Sequence, residues 1–160
     1  MNQGFIRPMQ VSDLDAIDRI QQRSYPSHFQ EPMSLFEQII TAYPQGNFVF
    51  EQDDQIAAYI MSNPISDDMQ DGFEGGCPEL TGEETRLYLH DLCLDPDWRG
   101  QGIAQRLVAH LWEFAEKAKF KDVYGVAVQG SFPFWEKMGF SYVAPYDYDG
   151  TDGILMEKAL

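Results

Sequence analysis

Hydrophobic spacing divides the chain into short elements of both kinds. Gly4 to Pro8 reads as a strand, and Ser12-Asp-Leu-Asp15 is a capping-box-like start to a helix that carries Leu14, Ile17 and Ile20 and ends near Ser24. The two prolines of Tyr25-Pro-Ser-His-Phe-Gln-Glu-Pro32 make that segment a loop. Behind it Ser34 caps a second helix carrying Leu35, Phe36, Ile39 and Ile40, closed by Pro44 and Gly46. Phe48 to Phe50 and Ile56 to Met61 read as strands joined at the polar turn Gln52 to Gln55, which predicts an antiparallel hairpin. Residues 62–85 then break every period with Pro64, Pro78, Gly72, Gly75, Gly76, Gly82 and many acids, and read as a long surface loop.

The second half is sharper. Leu87 to Leu94 is a strand, and Asp95 to Gly102 is a turn running into a helix that reaches about Lys119, with Ile103, Leu107, Leu111, Phe114 and Ala118 as its buried stripe. Val123 to Val128 is a strand, Ser131 to Met138 a short helix, Phe140 to Val143 a strand and Ile154 to Lys158 a terminal strand. The order β-α-α-β-β-β-α-β-α-β-β is mixed α/β, and 160 residues suit a single domain, 1–160, with one core.

Composition narrows the partners. A chain that is 44% hydrophobic and 14% aromatic can offset its conformational entropy and fold. With 26 acidic against 11 basic residues, the net charge of −15 repels phosphate backbones and anionic lipid, so neither nucleic acid nor membrane is expected and cationic small molecules fit better. Residues 51–97 hold 13 acids against Arg86 alone, whereas residues 99–137 hold six bases against four acids. The acidic stretch is either a solvated face or an electrostatic funnel for a cation. No stretch approaches the ~18 apolar residues of a membrane span and the N-terminus lacks signal-peptide regions, so a cytoplasmic protein is expected. Cys77 and Cys93 lack CxxC spacing and only His28, His90 and His110 accompany them, so neither a disulfide scaffold nor a metal site is expected.

The segment Arg99-Gly-Gln-Gly-Ile-Ala104 carries the clearest chemistry. It sits where a strand hands over to a helix, so unpaired N–H groups and the positive end of the helix dipole face outward, as an anion requires. Gly100 and Gly102 remove the Cβ atoms that would keep phosphate oxygens away. The absence of Lys-Ser/Thr after the glycines excludes a P-loop, and the absence of GxGxxG excludes the dinucleotide fingerprint.

Extended to Leu92-x-Leu94-Asp95-Pro96-x-x-Arg99-Gly100-x-Gly102-Ile103-Ala104, the motif resembles the pyrophosphate loop of the GNAT superfamily of acyl-CoA N-acyltransferases. Phe132-Pro-Phe-Trp-Glu-Lys-Met-Gly-Phe140 is similar to that family's late helix and following strand. The resemblance implies an α+β fold: one mixed, mostly antiparallel, twisted sheet, flanked by helices and splayed between two parallel central strands, here 87–94 and 123–128. It further implies acetyl-CoA as co-substrate, held by Leu92, Cys93, Leu94, Arg99, Gly100, Gln101, Gly102, Ile103, Ala104 and Phe134, and direct transfer of the acetyl group to an amine. Leu89-His90, Tyr25-Pro26 and Glu31-Pro32 are similar to the arylalkylamine N-acetyltransferase branch, although Tyr88 stands where that branch shows its first His.

A protonated amine cannot attack, and a His with an ordinary pKa of ~6.5 suits its deprotonation. His90 is the candidate base and Asp91, facing oppositely by strand alternation, its competitor. The family's usual acid is a Tyr in the late helix, but Trp135 occupies the matching position and reads as a packing residue or a face for cofactor or cation. Tyr88, Tyr142, Tyr146 and Tyr148 are the replacements within the chain, Tyr142 first among them. Acceptor candidates are the Tyr25–Pro32 loop, the 62–85 loop and Pro145-Tyr-Asp-Tyr-Asp-Gly150, whose rings and carboxylates suit an arylalkylamine or polyamine. The expected partners are that small amine and, at most, a second copy of the chain as a homodimer. The rival reading is a GNAT-like module that binds acyl-CoA for sensing or partner contact with little turnover.

Overall fold

The computed structural model describes residues 3–66, 80–148 and 150–160. Among them, helices and strands follow the expected order: β1 (Phe5–Pro8), α1 (Leu14–Ser24), α2 (Met33–Ala42), β2 (Phe48–Gln52), β3 (Gln55–Ile65), β4 (Arg86–Leu94), α3 (Ile103–Lys117), β5 (Asp122–Ala127), α4 (Phe132–Lys137), β6 (Ser141–Tyr148) and β7 (Thr151–Ala159). The strands form one seven-stranded sheet in the order β1-β2-β3-β4-β5-β7-β6. Every neighbouring pair is antiparallel except β4 and β5. No described helix is long and apolar enough to cross a membrane.

Strand alternation sends side chains to two cores. Phe48 and Phe50 of β2 and Ala58 and Ile60 of β3 pack with Leu107, Leu111 and Trp135 on the α3/α4 side. Val49, Tyr59 and Met61, from the intervening positions, pack with Ile17, Ile20, Phe36 and Ile39 on the α1/α2 side. The two central strands pair only from Arg86 with Asp122 to Leu89 with Gly125. Beyond that β5 stays with β7 as far as Ala127, opposite Ile154, while β4 stays with β3 as far as Leu94, opposite Ala58, so the sheet opens between them. The splay implied by the family resemblance is therefore present.

Several boundaries differ from the sequence reading for identifiable reasons. Ser12 does not cap α1: Asp13 accepts the Gln10 N–H at 2.8 Å and receives two Arg7 N–H bonds at 2.8 and 2.9 Å, so the ion pair fixes this corner. Pro32, which cannot donate, precedes α2, and Ser34 lies inside its first turn. Strand β3 runs on to Ile65 through buried polar residues. Ser62 is satisfied there, its N–H donating to Asn47 Oδ1 at 2.9 Å and its hydroxyl to the Gly46 carbonyl at 2.5 Å. Polar character thus reads as loop where it is paired core. Residues 67–79 of the expected loop lie outside the described residues. In α3, Val108 and Ala115 join Ile103, Leu107 and Leu111 in the core, and Ala118 is the exposed residue that ends the helix. Pro145 to Tyr148, expected as loop, belong to β6, which pairs with β7 from Ser141 with Glu157 to Tyr148 with Thr151 and slips register between Tyr142 and Ala144.

Leu107, wholly buried beneath the splay, gauges the α3/α4 core. Leu107→Ala is expected to cost about 3 kcal/mol in urea denaturation with an unchanged m-value, whereas a loss below about 1 kcal/mol would mean that the site collapses freely or α3 does not seat there.

Candidate active site

The opening of the sheet forces an accounting of backbone groups, because β4 loses its partner on one side after Leu89. Two hydroxyls at the end of α1 answer it. Ser24 Oγ donates to the Leu94 carbonyl at 3.0 Å and Tyr25 Oη to the Leu92 carbonyl at 2.9 Å. Arg23 anchors the same turn to the loop before α3 through Asp95 at 2.6 Å, and Asp95 in turn accepts the Asp97 N–H at 2.9 Å.

A β-bulge sits in β4 at the opening. Leu89 pairs with Ser62 and Asp91 with Met61, which leaves His90 as the extra residue. Side-chain parity flips across it: Leu87 and Leu89, then Leu92 and Leu94, pack toward α3, whereas Cys93 packs toward α1 and α2. His90 and Asp91 consequently share the α1/α2 side. His90 stacks edge-on against Phe36 at 6.3 Å, and Asp91 binds Tyr59, whose ring lies 5.8 Å from the same Phe36. The expectation that they face oppositely fails because alternation does not survive a bulge.

The His90 side chain is only 6% exposed, and its Nε2 lies 2.8 Å from Glu31 Oε2. A carboxylate accepts, so Nε2 carries the hydrogen and Nδ1 is left as the proton acceptor of the neutral ring. Burial pushes His90 down, but the Glu31 hydrogen bond and the negative charges of Glu31 and Asp91 outweigh it, and the ring titrates above its ordinary 6.5. Asp91 is pushed up by burial, despite hydrogen bonds with Tyr59 at 2.6 Å and Tyr25 at 2.8 Å. Burial also pushes Cys93 up to about 12, so it remains a thiol and is no nucleophile.

These groups line a cleft of about 370 Å³ that passes through the opening in the sheet. On one side lie Leu94, Arg99, Ala104, Ser131, Phe134 and Trp135; on the other lie Phe29, Glu31, Tyr88, His90 and Tyr148. The α3 N-terminus has no side-chain cap, since Gly102 occupies the N-cap with φ of 77°. A Cβ on Gly100 or Gly102 would meet no protein atom within 4 Å, so the loop is open where phosphate oxygens would approach. The residues therefore fit a pyrophosphate.

Among the candidates, His90, Asp91, Leu92, Cys93, Leu94, Arg99, Ala104 and Phe134 all line the cleft, and Gly100, Gln101 and Gly102, exposed between Arg99 and Ala104 in sequence, do not. The Ile103 side chain is 2% exposed within the α3 core, leaving only its amide for a ligand. Tyr142 is not brought to the others: it stands 54% exposed on edge strand β6, against Phe132 at 6.3 Å and outside the cleft. Trp135 packs edge-on to Phe134 and Phe140, which makes it core as well as wall. Glu31, Tyr25 and Ser24 lay in segments flagged by the sequence without individual roles, because partnership across 59 to 70 residues leaves no local signal. Among the described residues no cluster of three or more His, Cys, Asp or Glu is arranged to hold a metal.

Residues 14–140 match the acetyltransferase (GNAT) family. The chain belongs to the GNAT acetyltransferase family. No curated protein matches significantly by sequence. Among solved structures, this GNAT chain resembles the loading GNATL domain of CurA from Lyngbya majuscula, at 16% identity over 99% of this chain and 98% of that one, with a TM-score of 0.84. It also resembles the ribosomal-protein-S18-alanine N-acetyltransferase from Escherichia coli, at 20% identity over 99% and 94% and a TM-score of 0.74. A third is the GphF GNAT-like decarboxylase in complex with isobutyryl-CoA, at 18% identity over 97% and 98% and a TM-score of 0.79. At these identities the likeness extends to the fold.

Glu31→Gln should lower the pKa of His90, because the burial that opposes its charge remains while the opposing carboxylate is gone. The folded-state value lies above the ordinary 6.5, so the pair's stabilisation is complete below about pH 6.5 and is lost as pH rises through the folded value. The stability deficit of the variant is accordingly expected to be largest in that acidic range and to shrink above it. Histidine ring NMR titration checks the shift directly: a His90 that titrates alike in both proteins would show that Glu31 does not govern it.

Proposed function

We propose that this GNAT protein transfers the acetyl group of acetyl-CoA to the unprotonated amine of a small cationic acceptor that bears no carboxylate beside the amine. Arylalkylamines and polyamine-like molecules are such acceptors. The observation that carries the reading is the pair of chemistries at opposite sides of one cleft: uncapped amides of the α3 N-terminus with Arg99 on one, and the His90–Glu31 pair among aromatic rings on the other. The first attracts the pyrophosphate of the donor. The second attracts an ammonium through the Glu31 carboxylate and the faces of Phe29 and Tyr148, whose centroids are 6.1 Å apart, and repels a neighbouring carboxylate.

His90 then receives a proton at Nδ1 as the amine nitrogen bonds to the acetyl carbon, and Glu31 steadies the imidazolium so formed. Neutral His90 is needed, so kcat/KM is expected to rise with pH through a value above 6.5. A protein N-terminus presents the same ammonium without an adjacent free carboxylate, and the Escherichia coli relative is named for such an acceptor.

Trp135 supports a second reading, a GNAT-like module that binds acyl-CoA without acetylating an amine, since the indole has no acidic hydroxyl to protonate a thiolate. Thiol release from acetyl-CoA, followed across arylalkylamines, polyamines, peptides with free N-termini and α-amino acids, separates the two. Turnover of amines lacking the carboxylate, with α-amino acids at least about tenfold poorer in kcat/KM, is the expected result. Folded protein that binds CoA and releases no thiol with any of them would favour the second reading.

Donor binding has its own test. Gly102 is unsuited to it, because φ of 77° strains any replacement whatever the ligand does. Ala104 is helical and lines the cleft, and a Glu there would favour the helix dipole while opposing a pyrophosphate. Ala104→Glu should therefore leave the melting temperature unchanged or raised and weaken CoA at least about tenfold by calorimetric titration. Undiminished affinity would place the pyrophosphate elsewhere.

A further inference from the structure

Acetyl transfer leaves a thiolate, and the helix position that resemblance assigns to its proton donor holds Trp135. The hydrogen bonds around Asp91 offer another source. Tyr59 Oη lies 2.6 Å from Asp91 Oδ2, while Tyr25 Oη lies 2.8 Å from Asp91 Oδ1 and 2.9 Å from the Leu92 carbonyl. A carbonyl only accepts, and each hydroxyl has one proton to give. Three contacts with two hydroxyl protons between them leave one contact unfilled unless Asp91 Oδ1 carries a third. Tyr25 then donates to Leu92 and accepts from Asp91.

We propose that Asp91 holds a proton in the resting protein and that Tyr25 delivers it to the departing thiolate. This rests on the acetyl-transfer reading. Tyr25 and Asp91 both line the cleft, and Tyr25 stands at the edge of β4 that the opening of the sheet exposes. As the amine nitrogen bonds to the acetyl carbon, the C–S bond breaks and its electron pair stays on sulfur. Sulfur takes the Tyr25 hydroxyl proton, the Tyr25 oxygen takes the Asp91 proton, and His90 Nδ1 takes the proton of the amine. Asp91 ends as carboxylate and His90 as imidazolium, two opposite charges on adjacent residues. Proton exchange with solvent resets both.

The surroundings of Asp91 are consistent with this cycle. Facing it are Tyr59 from β3, Tyr25 from the turn after α1, His90 and Cys93 from β4, and Glu31 from the loop before α2. Burial raises the carboxyl, and the Glu31 charge adds to it. Burial also raises Tyr25 well above 10, so the phenol alone is a poor acid and depends on a proton behind it. The lack of a phenol on the late helix, where Trp135 stands, is thereby compensated from the opposite side of the opening.

Tyr25→Phe and Asp91→Asn test the assignment together with infrared spectroscopy. The amide that Asp91→Asn introduces can donate to Tyr25 and accept from Tyr59, so the fold is retained while the transferable proton is removed. Each variant is expected to lose about a hundredfold in kcat on an amine that the wild type acetylates, at unchanged KM for acetyl-CoA and unchanged CoA affinity. At neutral pH the wild type should show a protonated-carboxyl stretching band that Asp91→Asn lacks. Either folded variant retaining wild-type kcat overturns the proposal, and so does absence of the band, which would make Asp91 an ionised base. A wild type that acetylates no amine refutes the acetyl-transfer reading instead, and the band still reports whether Asp91 carries its proton.

Discussion

The separation of β4 from β5 is the constraint on which the site depends. A sheet opened at its centre exposes a row of polar backbone groups that would be costly if left unpaired. The end of α1 supplies the missing partners through Ser24 and Tyr25, whose hydroxyls stand where the neighbouring strand would have been. Those two residues thereby fix the turn that leads into the Tyr25–Pro32 loop, and Arg23 fixes the same turn to Asp95 at the head of the loop before α3. Opening the sheet and joining the two loops are one structural event.

Electrostatics then assigns different parts to adjacent residues. The bulge sets His90 and Asp91 on one side of the sheet, where each would be expensive to charge alone. Glu31 compensates His90 and raises it, whereas at Asp91 burial outweighs the Tyr59 and Tyr25 hydroxyls and raises the carboxyl. Both titratable groups are thereby pushed up within one cleft, His90 by its paired carboxylate and Asp91 by burial.

The geometry of the loop before α3 was legible because it is local. Arg99 to Ala104 carries its meaning in consecutive residues, and the geometry that follows, an uncapped helix N-terminus behind two glycines, is a property of the segment itself. The order of elements was legible for the same reason, through periods of two and 3.6. Strand β3 was read short because Ser62 and Asn63 look solvated, and only their buried partners show otherwise. The bulge at His90 had no signature, since it arises from the register between β3 and β4, and with it went the relative facing of His90 and Asp91. Nothing in the sequence separates Tyr142 from Tyr88, Tyr146 and Tyr148 as a substitute for the late-helix phenol, and β6 carries it to the edge of the sheet.

The two outermost strands bear on a different property, the behaviour of the protein at high concentration. A sheet with free edges can recruit a further strand from another molecule and grow. Here β1 offers only four residues, Phe5–Pro8, ending in a proline. At the other edge β6 slips register between Tyr142 and Ala144 and then meets Pro145, which has no N–H to give. An incoming strand would find neither a long nor a regular ladder, and it would approach a chain of net charge −15. The sheet is open in the middle, where a ligand can enter, and closed to extension at its ends.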